Sequence, residues 1–220
     1  AGGTLHPGKF ILGLRQTALQ RGIRIYEQTS VDRIQHGKPL RVMTPCGSVS
    51  ADKLLMASNA YTPEIGKPGE RIMPLHVTLF ETEPLSDEQL AAIGGWQGHE
   101  SMESYRLTAQ RTIIGGSKNV QYFYDCQPRR HGGEADASKM SVINAFRERF
   151  PALATLPIAH SWAGWIGMTM NFLPIVGRSP EHESYYYSVG YNGHGVAQAS
   201  SMGSLLADQM LGKANPWHEI

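Results

Sequence analysis

A glycine-rich turn near the C-terminus is the segment of this chain best suited to bind a ligand through its backbone. Three of residues 190–195 are glycines, and the turn lies between a predicted strand and a predicted helix. Because glycine lacks a Cβ atom, a ligand can approach such a backbone closely, and the first N–H groups of a helix are unpaired. The turn therefore suits a phosphate, a carboxylate or the electron-rich edge of a ring. Taken alone, it also fits an ordinary strand-to-helix connection.

Sequence patterns for other kinds of chemistry are missing. No G-x-G-x-x-G or G-x-x-x-x-G-K-[ST] segment precedes a predicted helix, and no G-x-S-x-G segment supplies a nucleophile. The histidines lack the spacing of metal ligands, and Cys46 and Cys126 are too few for a disulfide framework or a cysteine-rich zinc site. We therefore expect neither hydrolase chemistry nor a metal centre.

The charge and length of the chain are those of an ordinary globular protein. Its 220 residues carry 20 Lys plus Arg against 19 Asp plus Glu, so the net charge is +1 and nucleic acid is not an expected partner. No apolar run is long enough for a membrane span, and no signal-peptide pattern is present, so we expect a cytoplasmic protein. Because the sequence starts without methionine and in loop-like, glycine-rich residues, we expect a fragment.

The elements that must position the turn follow from apolar periodicity. Residues at helical spacing predict a first helix between Pro7 and Gly22, and the apolar run 53–57 predicts a strand buried on both faces. In the middle of the chain, Ser86 and Gln89 form a capping box that opens a short helix. Other predicted strands cover residues 23–26, 29–34, 40–44, 49–51, 76–83, 105–108, 112–115, 158–167 and 185–189, and residues 173–177 form another short apolar segment.

Two longer helices complete the prediction. An amphipathic helix is expected over residues 138–150, and a C-terminal helix over 196–211 with Gly212 as its cap. The strand at 76–83 alternates apolar and polar residues, as a half-exposed strand does. The middle of the chain therefore predicts an antiparallel sheet with helices on one side, and the two ends predict α/β structure.

Several segments, taken in order, resemble the FAD-dependent D-amino-acid-oxidase superfamily, in particular its glycine oxidase, sarcosine oxidase and γ-glutamylputrescine oxidase branches. The resemblance covers almost the whole sequence. The segments that carry it are LHPGK at 5–9, TSVDRI at 29–34, ASNAY at 57–61, YRLT at 105–108, WAG at 162–164, PIVG at 174–177 and GYNGHG at 190–195.

The resemblance implies an α/β plus α+β fold, in which an incomplete Rossmann-like FAD-binding domain carries an inserted antiparallel-sheet substrate domain. Residues 1–69 and 158–220 would belong to the FAD-binding domain, and residues 70–157 to the substrate domain. Such enzymes carry their G-x-G-x-x-G segment further towards the N-terminus than LHPGK, so this chain resembles a C-terminal fragment. Without that segment the fragment alone is not assured of binding FAD.

The resemblance also assigns the cofactor positions. Val31 matches a backbone contact on the adenine side, Gly164 matches a strand end near the flavin, and the glycine-rich turn matches a segment facing the pyrimidine side of the ring. FAD would be non-covalent, because the attachment position of some relatives falls near Gly167. The remaining matched positions are Ser58, Asn59 and Ala60 in a loop passing the cofactor, and Gly190, Tyr191, Asn192, Gly193, His194 and Gly195 in the turn.

The implied substrate positions differ partly from the family pattern. Tyr105 matches a tyrosine that faces the substrate in glycine oxidase, and Arg106 is a candidate for reading a distant acidic group. Ile166 and Ala197 stand where relatives place an arginine and a lysine that bind the substrate carboxylate. An unpaired carboxylate there would cost a few kcal/mol, on the order expected for a buried charge. Lys118 is the candidate for a cation that assists oxygen.

The sequence thus predicts an FAD-dependent oxidoreductase that oxidises a small-molecule amine or amino-acid substrate at a C–N bond by hydride transfer to flavin. No acid–base residue is assigned. One alternative is a non-catalytic, truncated relative that binds a ligand or partner, and another is a nucleotide-binding protein that uses only the turn. Self-association through uncovered sheet edges is a further expectation.

Overall fold

The computed structural model describes residues 5–93, 98–100, 103–116, 121–122, 125–128 and 136–216. The helices and strands, in chain order, are α1 Pro7–Gln20, β1 Arg33–Gln35, β2 Leu40–Thr44, β3 Gly47–Ala51, β4 Leu54–Met56, β5 Met73–Thr82, α2 Asp87–Ile93, β6 Gly98–Glu100, β7 Glu103–Leu107, β8 Ile113–Gly116, β9 Gln121–Tyr122, α3 Asp136–Arg149, β10 Ile158–Met168, β11 Ile175–Arg178, β12 Tyr185–Val189 and α4 Gly195–Leu211.

The chain divides into two compact units. The first unit comprises Ala1–Met56, Val176–Ser188 and His194–Ile220, and the second comprises Ala57–Ile175 and Val189–Gly193. The second unit therefore holds the start of the glycine-rich turn together with the whole antiparallel sheet. The sequence assigned residues 1–69 and 158–220 to FAD binding and residues 70–157 to substrate binding. Because that division is by function, it stays a prediction.

The first unit combines two small sheets with two helices. Strands β1, β2 and β3 form an antiparallel sheet. In the second sheet, β12 lies between β11 and β4, and β12 pairs in parallel with β4. Helix α1 begins as predicted at Pro7, where His6 Nδ1 accepts a hydrogen bond from the Lys9 N–H at 3.3 Å. Helix α4 ends at Gly212 in the left-handed conformation, with φ of +70°, as the sequence predicts.

Two strand predictions in the first unit are wrong. Residues 23–26 form no strand, and Ile23 and Tyr26 are exposed, because no neighbouring strand in the described part of the chain pairs with them. The strand expected to be buried on both faces is β4, but its Leu55 side chain is 40% exposed. A continuous apolar run does not by itself report which faces are covered.

The second unit is an antiparallel sheet in the order β10-β5-β8-β7-β6, with β9 also paired to β5. Strand β10 pairs with β5 from Ile158 to Met168, and the hairpin of β7 and β8 follows the predicted pattern. The capping box before α2 forms in both directions, since Ser86 N–H donates to Gln89 Oε1 and Gln89 N–H donates to Ser86 Oγ.

The two faces of this sheet carry different side chains. On the face covered by helix α3, Phe80, Tyr105 and Ile113 pack against Val142 and Phe146. We call this the helix-covered face. The prediction that β5 is half exposed is therefore wrong, because most of its residues are buried on both faces.

The opposite face of the sheet carries a second apolar cluster, formed by Leu75, Val77, Ile166 and Met168. Alternation along β5 places Leu75 and Val77 on the side away from Phe80. Strand pairing places Ile166 beside Leu75. This opposite face is the one that reaches the glycine-rich turn. Among the described helices, none is both long and apolar enough to cross a membrane.

Candidate functional site

The glycine-rich turn adopts a backbone conformation that few residues tolerate. Gly190, Asn192 and Gly193 have φ angles of +74°, +53° and +85°. Glycine enters this left-handed region without a steric penalty, and asparagine is among the residues that tolerate it best. Residue types and backbone conformation therefore agree at all three positions.

Close packing adds a second reason for glycine at position 190. A Cβ atom there would lie 2.7 Å from Thr169 Cγ2 and 2.9 Å from Ile72 Cδ1. These distances are far below van der Waals contact, so any side chain would displace the turn. The start of the turn is thus seated directly on the residues that follow β10.

Asn192 ties the turn to the end of β10 through both its backbone and its side chain. Its N–H donates to Gly167 O at 3.1 Å, and its Oδ1 accepts the Thr169 N–H at 2.8 Å. The Thr169 hydroxyl lies 3.2 Å from the same Oδ1 and 2.8 Å from Leu173 O. Asn192 Nδ2 in turn donates to Gly190 O at 2.7 Å. The carboxamide therefore bridges two backbone segments.

Asn59 holds the same turn from another side. Its Oδ1 accepts the Gly190 N–H at 3.0 Å. A Cβ atom at Gly167 would lie 2.7 Å from this oxygen and 3.1 Å from Ala60 N. Residues 59, 167–169 and 190–192 therefore form one hydrogen-bonded and closely packed cluster, and glycine is required at Gly167 because Asn59 occupies the adjacent space.

Ile166 and Gly164 lie on the opposite face beside this cluster. A Cβ atom at Gly193 would be 3.9 Å from Ile166 Cδ1, which is ordinary contact, and one at Gly164 would meet no described atom within 4 Å. Gly164 has neither a left-handed φ nor a packing contact that calls for glycine. A glycine within a strand often marks a place where a ligand approaches the backbone.

Tyr105 lies on the helix-covered face, away from Ile166 and the turn. It is only 5% exposed, its ring meets Phe150 edge to face, and its hydroxyl donates to Glu103 Oε2 at 3.3 Å. Burial, aided by the Glu103 carboxylate, raises the pKa of Tyr105 to about 12. The structure therefore does not bring Tyr105 together with the other candidate substrate residues, because its side chain fills the core beneath α3.

Arg106 projects to the opposite face, because neighbours along a strand alternate. It pairs with Ile114, which pairs with Glu81, and Glu81 lies on the same side of β5 as Leu75. Arg106 therefore shares a face with Ile166. It lies several strand positions away, so contact with a substrate at the turn requires a long molecule.

Three other predicted residues, Ser58, Ala60 and Tyr191, belong to the second unit. The Ser58 hydroxyl lies 2.9 Å from Thr62 Oγ1, and Ala60 and Tyr191 are 1% and 6% exposed. A ligand would therefore reach Ala60 and Tyr191 through their backbone rather than their side chains. Sequence reasoning missed Thr169, because a threonine two residues after Gly167 gives no signal of its own.

Three predicted positions belong to the first unit. Val31 lies just before β1, exposed His194 precedes helix α4, and Gly195 is the first residue of that helix. The His194 O accepts the Gln198 N–H, while its side chain makes no capping hydrogen bond. Lys118 lies outside the described residues. In the described ranges, no group of histidine, cysteine and acidic side chains is arranged to hold a metal.

Comparison with solved structures identifies proteins that share this fold. The fold resembles the crystal structure of glycine oxidase from Geobacillus kaustophilus, with a TM-score of 0.78 and 16% sequence identity, over 93% of this chain and 54% of that one. At this identity the likeness concerns the fold alone. It confirms the predicted fold class of mixed α/β and antiparallel structure.

The sequence comparison then gives the family. The model for FAD dependent oxidoreductases of the DAO type matches residues 1–209, so the chain belongs to this family. Probable oxidoreductase OrdL of Haemophilus influenzae is 28% identical over 225 residues, covering 96% of this chain and 48% of that protein.

A second relative shows the same extent of coverage. Gamma-glutamylputrescine oxidoreductase of Escherichia coli is 30% identical over 224 residues, covering 97% of this chain and 49% of that protein. The chain therefore spans about half the length of the curated relatives it matches. The resemblance to the D-amino-acid-oxidase superfamily that the sequence motifs indicate is confirmed.

Proposed function

We propose that this chain is the C-terminal part of an FAD-dependent oxidoreductase that oxidises an amine or amino compound at a C–N bond. The observation that carries the proposal is the hydrogen-bonded, glycine-lined turn, which approaches the apolar Ile166 on the face of β10 that also carries Gly164. Family membership supplies the cofactor class, and the local geometry supports a place for a flat, electron-rich ring.

The turn fits the chemistry of a bound flavin. Gly193 is exposed, and its N–H donates to no acceptor within the described residues. Gly195 begins helix α4, whose first N–H groups carry partial positive charge. Bound FAD would supply the hydride acceptor for the substrate carbon. The backbone donors of this chain would stabilise the negative charge that develops there.

Several residues would hold the cofactor under this proposal. Gly193 would approach it through its backbone, and Gly164 would leave room for it above β10. Ser58 and Asn59 would border it from the loop after β4, and Val31 would contact its adenine side. The other members of the proposed set are Ala60, Gly190, Tyr191, Asn192, His194 and Gly195.

Non-covalent attachment is supported by the packing at Gly167. Asn59 Oδ1 and Ala60 N already occupy the volume into which a side chain at Gly167 would extend. A cysteine could not be accommodated there without moving the loop that carries Asn59. We therefore propose that FAD is held by shape and hydrogen bonds alone.

The surroundings of the turn favour an amine over a simple α-amino acid. Ile166 is apolar, and Ala197, near the start of α4, offers no charge either. A substrate carboxylate beside Ile166 would lose its hydration without gaining a cation. We propose a primary or secondary amine, or a longer amino compound whose acidic group lies far from the reacting carbon and near Arg106.

The chain's own residues would orient the amine and exclude water from it. Half-buried Ile166, which packs against the buried Leu75 and Val77, would offer an apolar side chain beside the turn and favour the neutral, less hydrated form of the amine. None of these three side chains exchanges protons. The amine would therefore lose its proton to solvent before it reaches the apolar surface.

The experiment is an anaerobic mixing of the FAD-loaded whole protein with a panel of amines and amino acids. Loss of the oxidised-flavin absorbance, together with formation of one aldehyde or ketone per flavin, is the expected result for at least one amine. Reduction by alcohols or hydroxy acids, with no reaction of any amine, would contradict oxidation at a C–N bond. A matched reaction without substrate controls for photoreduction.

A further inference from the structure

We infer that Asn192 and Asn59 are positioning residues that fix the glycine-rich turn so that its backbone donors face the cofactor. The inference rests on the proposed function, and it assigns to two carboxamides a role that the family resemblance does not supply. Both residues belong to the second unit, and all the contacts used here lie within it.

The side chain of Asn192 uses both ends of its carboxamide on protein backbone. The oxygen accepts the Thr169 N–H at 2.8 Å, and the nitrogen donates to Gly190 O at 2.7 Å. No other side chain of this length combines an acceptor and a donor with tolerance of a φ of +53°. Aspartate would keep the acceptor and lose the donor, and glycine would lose both.

Asn59 divides its carboxamide differently. Its oxygen accepts the Gly190 N–H at 3.0 Å, and within the described ranges its Nδ2 donates to no acceptor. Because Gly190 N–H is a donor, the atom that faces it must be the carboxamide oxygen. Asn59 therefore supports the start of the turn, and its nitrogen is the part available to a ligand.

Together the two residues restrain the turn at Gly190 and at Asn192, just before Gly193. Gly193 itself makes no hydrogen bond to the described residues, so its orientation depends on these neighbours. Donors that are already oriented stabilise developing charge without reorganisation at the moment of reaction. We call the hydrogen bonds of the Asn59 and Asn192 carboxamides to the backbone the carboxamide clamp. Removing these bonds should therefore weaken the preference of the site for reduced flavin.

The test compares Asn192→Gly and Asn192→Asp with wild type in the whole protein. Asn192→Gly keeps the backbone conformation and removes the carboxamide, and Asn192→Asp retains the acceptor for Thr169. Asn171→Gly is the matched control, since exposed Asn171 also bonds a backbone N–H, that of Leu173, but lies outside the turn. Asn59→Gly removes the second carboxamide, and its effect is measured as the exchange rate of the Gly190 amide that Asn59 accepts.

Two readouts are used. The rate of amide hydrogen exchange in the FAD-free protein reports whether the carboxamide clamp protects the backbone amides it bonds. FAD affinity and the midpoint potential of the bound flavin report whether the clamp affects cofactor binding. For Asn192→Gly we expect at least about tenfold faster exchange at Thr169 and an about tenfold weaker preference for reduced flavin, a fall of roughly 30 mV. Asn192→Asp should recover protection at Thr169, and Asn171→Gly should match wild type. Asn59→Gly should accelerate exchange at Gly190.

Three outcomes would overturn the inference. Unchanged exchange at Thr169 in Asn192→Gly would show that the clamp does not hold the turn. Faster exchange with wild-type FAD affinity and potential would show that Asn192 is only structural. Failure of the wild-type protein to bind FAD would overturn the proposed function and this inference together, and thus differs from the first two results.

Discussion

At the scale of single residues, Ile166 carries the most direct information about the substrate. It lies on the opposite face of the sheet, with its Cδ1 3.9 Å from the position that a Cβ atom at Gly193 would take, and the family resemblance implies an arginine here in glycine oxidase. An apolar residue there removes the cation that would pair with a carboxylate. Under the proposed function, the identity of this one side chain would separate amine from amino-acid oxidation.

We predict that Ile166→Arg shifts the preference of the enzyme towards α-carboxylated substrates. Dimethylamine and sarcosine form a suitable pair, because they differ only by the carboxylate. A charge-assisted hydrogen bond contributes about 1.5–3 kcal/mol, so kcat/KM for sarcosine relative to dimethylamine should rise roughly ten- to a hundredfold. Steady-state kinetics with both substrates measures the ratio.

Ile114→Arg is the matched control for this change. Ile114 is also half-buried on the opposite face, but it lies in β8 beside Arg106 and away from the turn. The ratio of the two substrates should stay at the wild-type value in this variant. An unchanged ratio in Ile166→Arg as well would contradict the assignment of Ile166 to the substrate site.

A second residue-scale prediction concerns Tyr105 and alkaline pH. Burial and Glu103 raise the pKa of Tyr105 to about 12, above the ordinary value of 10.0 that it has when unfolded. The folded state thus holds the phenolic proton more tightly, and the stability this provides is complete below about pH 10 and is lost as pH rises towards 12. Tyr105→Phe should therefore lose less stability than wild type over this interval.

Urea unfolding at about pH 9 and at about pH 11.5 measures this difference. Tyr26→Phe serves as the control, because Tyr26 is 65% exposed and should leave the pH dependence unchanged. Equal losses of stability in wild type and Tyr105→Phe would show that Tyr105 does not contribute to alkaline unfolding. The prediction also tests its placement in the core rather than at the substrate.

Sequence reasoning reached some of these residues and not others. Glycine content and family motifs, which act through local sequence, placed the turn and Asn59 in one predicted site; the structure brings the two into contact, and their role toward the cofactor stays a prediction. Thr169 could not be predicted, since its role depends on Asn192, 23 residues later in the chain. The orientation of Tyr105 required the register of β7 and β8, because a strand alone does not say which of its faces meets a helix.

At the scale of elements, predictions succeeded where a local signal fixes an element end. The capping box of Ser86 and Gln89 and the left-handed Gly212 are both set by residues within four positions of one another. The strand expected at 23–26 failed because a strand exists only with a partner, and the apolar pattern of the segment does not supply one.

Helix α3 should depend strongly on Phe146, which is 0% exposed and packs against Phe80 and Tyr105. We predict that Phe146→Ala lowers the free energy of unfolding by about 3–5 kcal/mol, because it removes buried ring area and leaves a cavity. Urea denaturation of both proteins measures the difference.

Met140→Ala is the control on the same helix. Met140 is 49% exposed, so its truncation should change the free energy of unfolding by only about 0.5 kcal/mol. Similar effects of the two substitutions would contradict the assignment of the α3 core face. The comparison separates burial from any general effect of alanine on helix propensity.

At the scale of the whole molecule, the first unit shows apolar surface that its own elements leave uncovered. Helix α1 has no buried residue, and Ile11, Leu12 and Leu14 are 60%, 65% and 50% exposed. Self-association through such surfaces stays a prediction. The family match over 1–209 and the half-length coverage of relatives agree with the proposal that further chain completes the flavoenzyme.

The measurement that tests the central claim most directly is FAD binding by the whole protein and its Gly193→Val variant. A β-branched residue is strained at a φ of +85° and would block close approach of the ring. Gly13→Ala is the control, because Gly13 lies in α1 and a Cβ atom there would meet no described atom within 4 Å beyond the local helix backbone. Circular dichroism checks that each variant folds.

We predict that wild type and Gly13→Ala bind FAD with equal affinity, and that folded Gly193→Val binds it at least about tenfold more weakly, a difference of about 1.4 kcal/mol. Equal affinity in all three proteins would contradict the assignment of the glycine-rich turn to the cofactor. Absence of FAD binding by the wild-type protein would contradict the account as a whole.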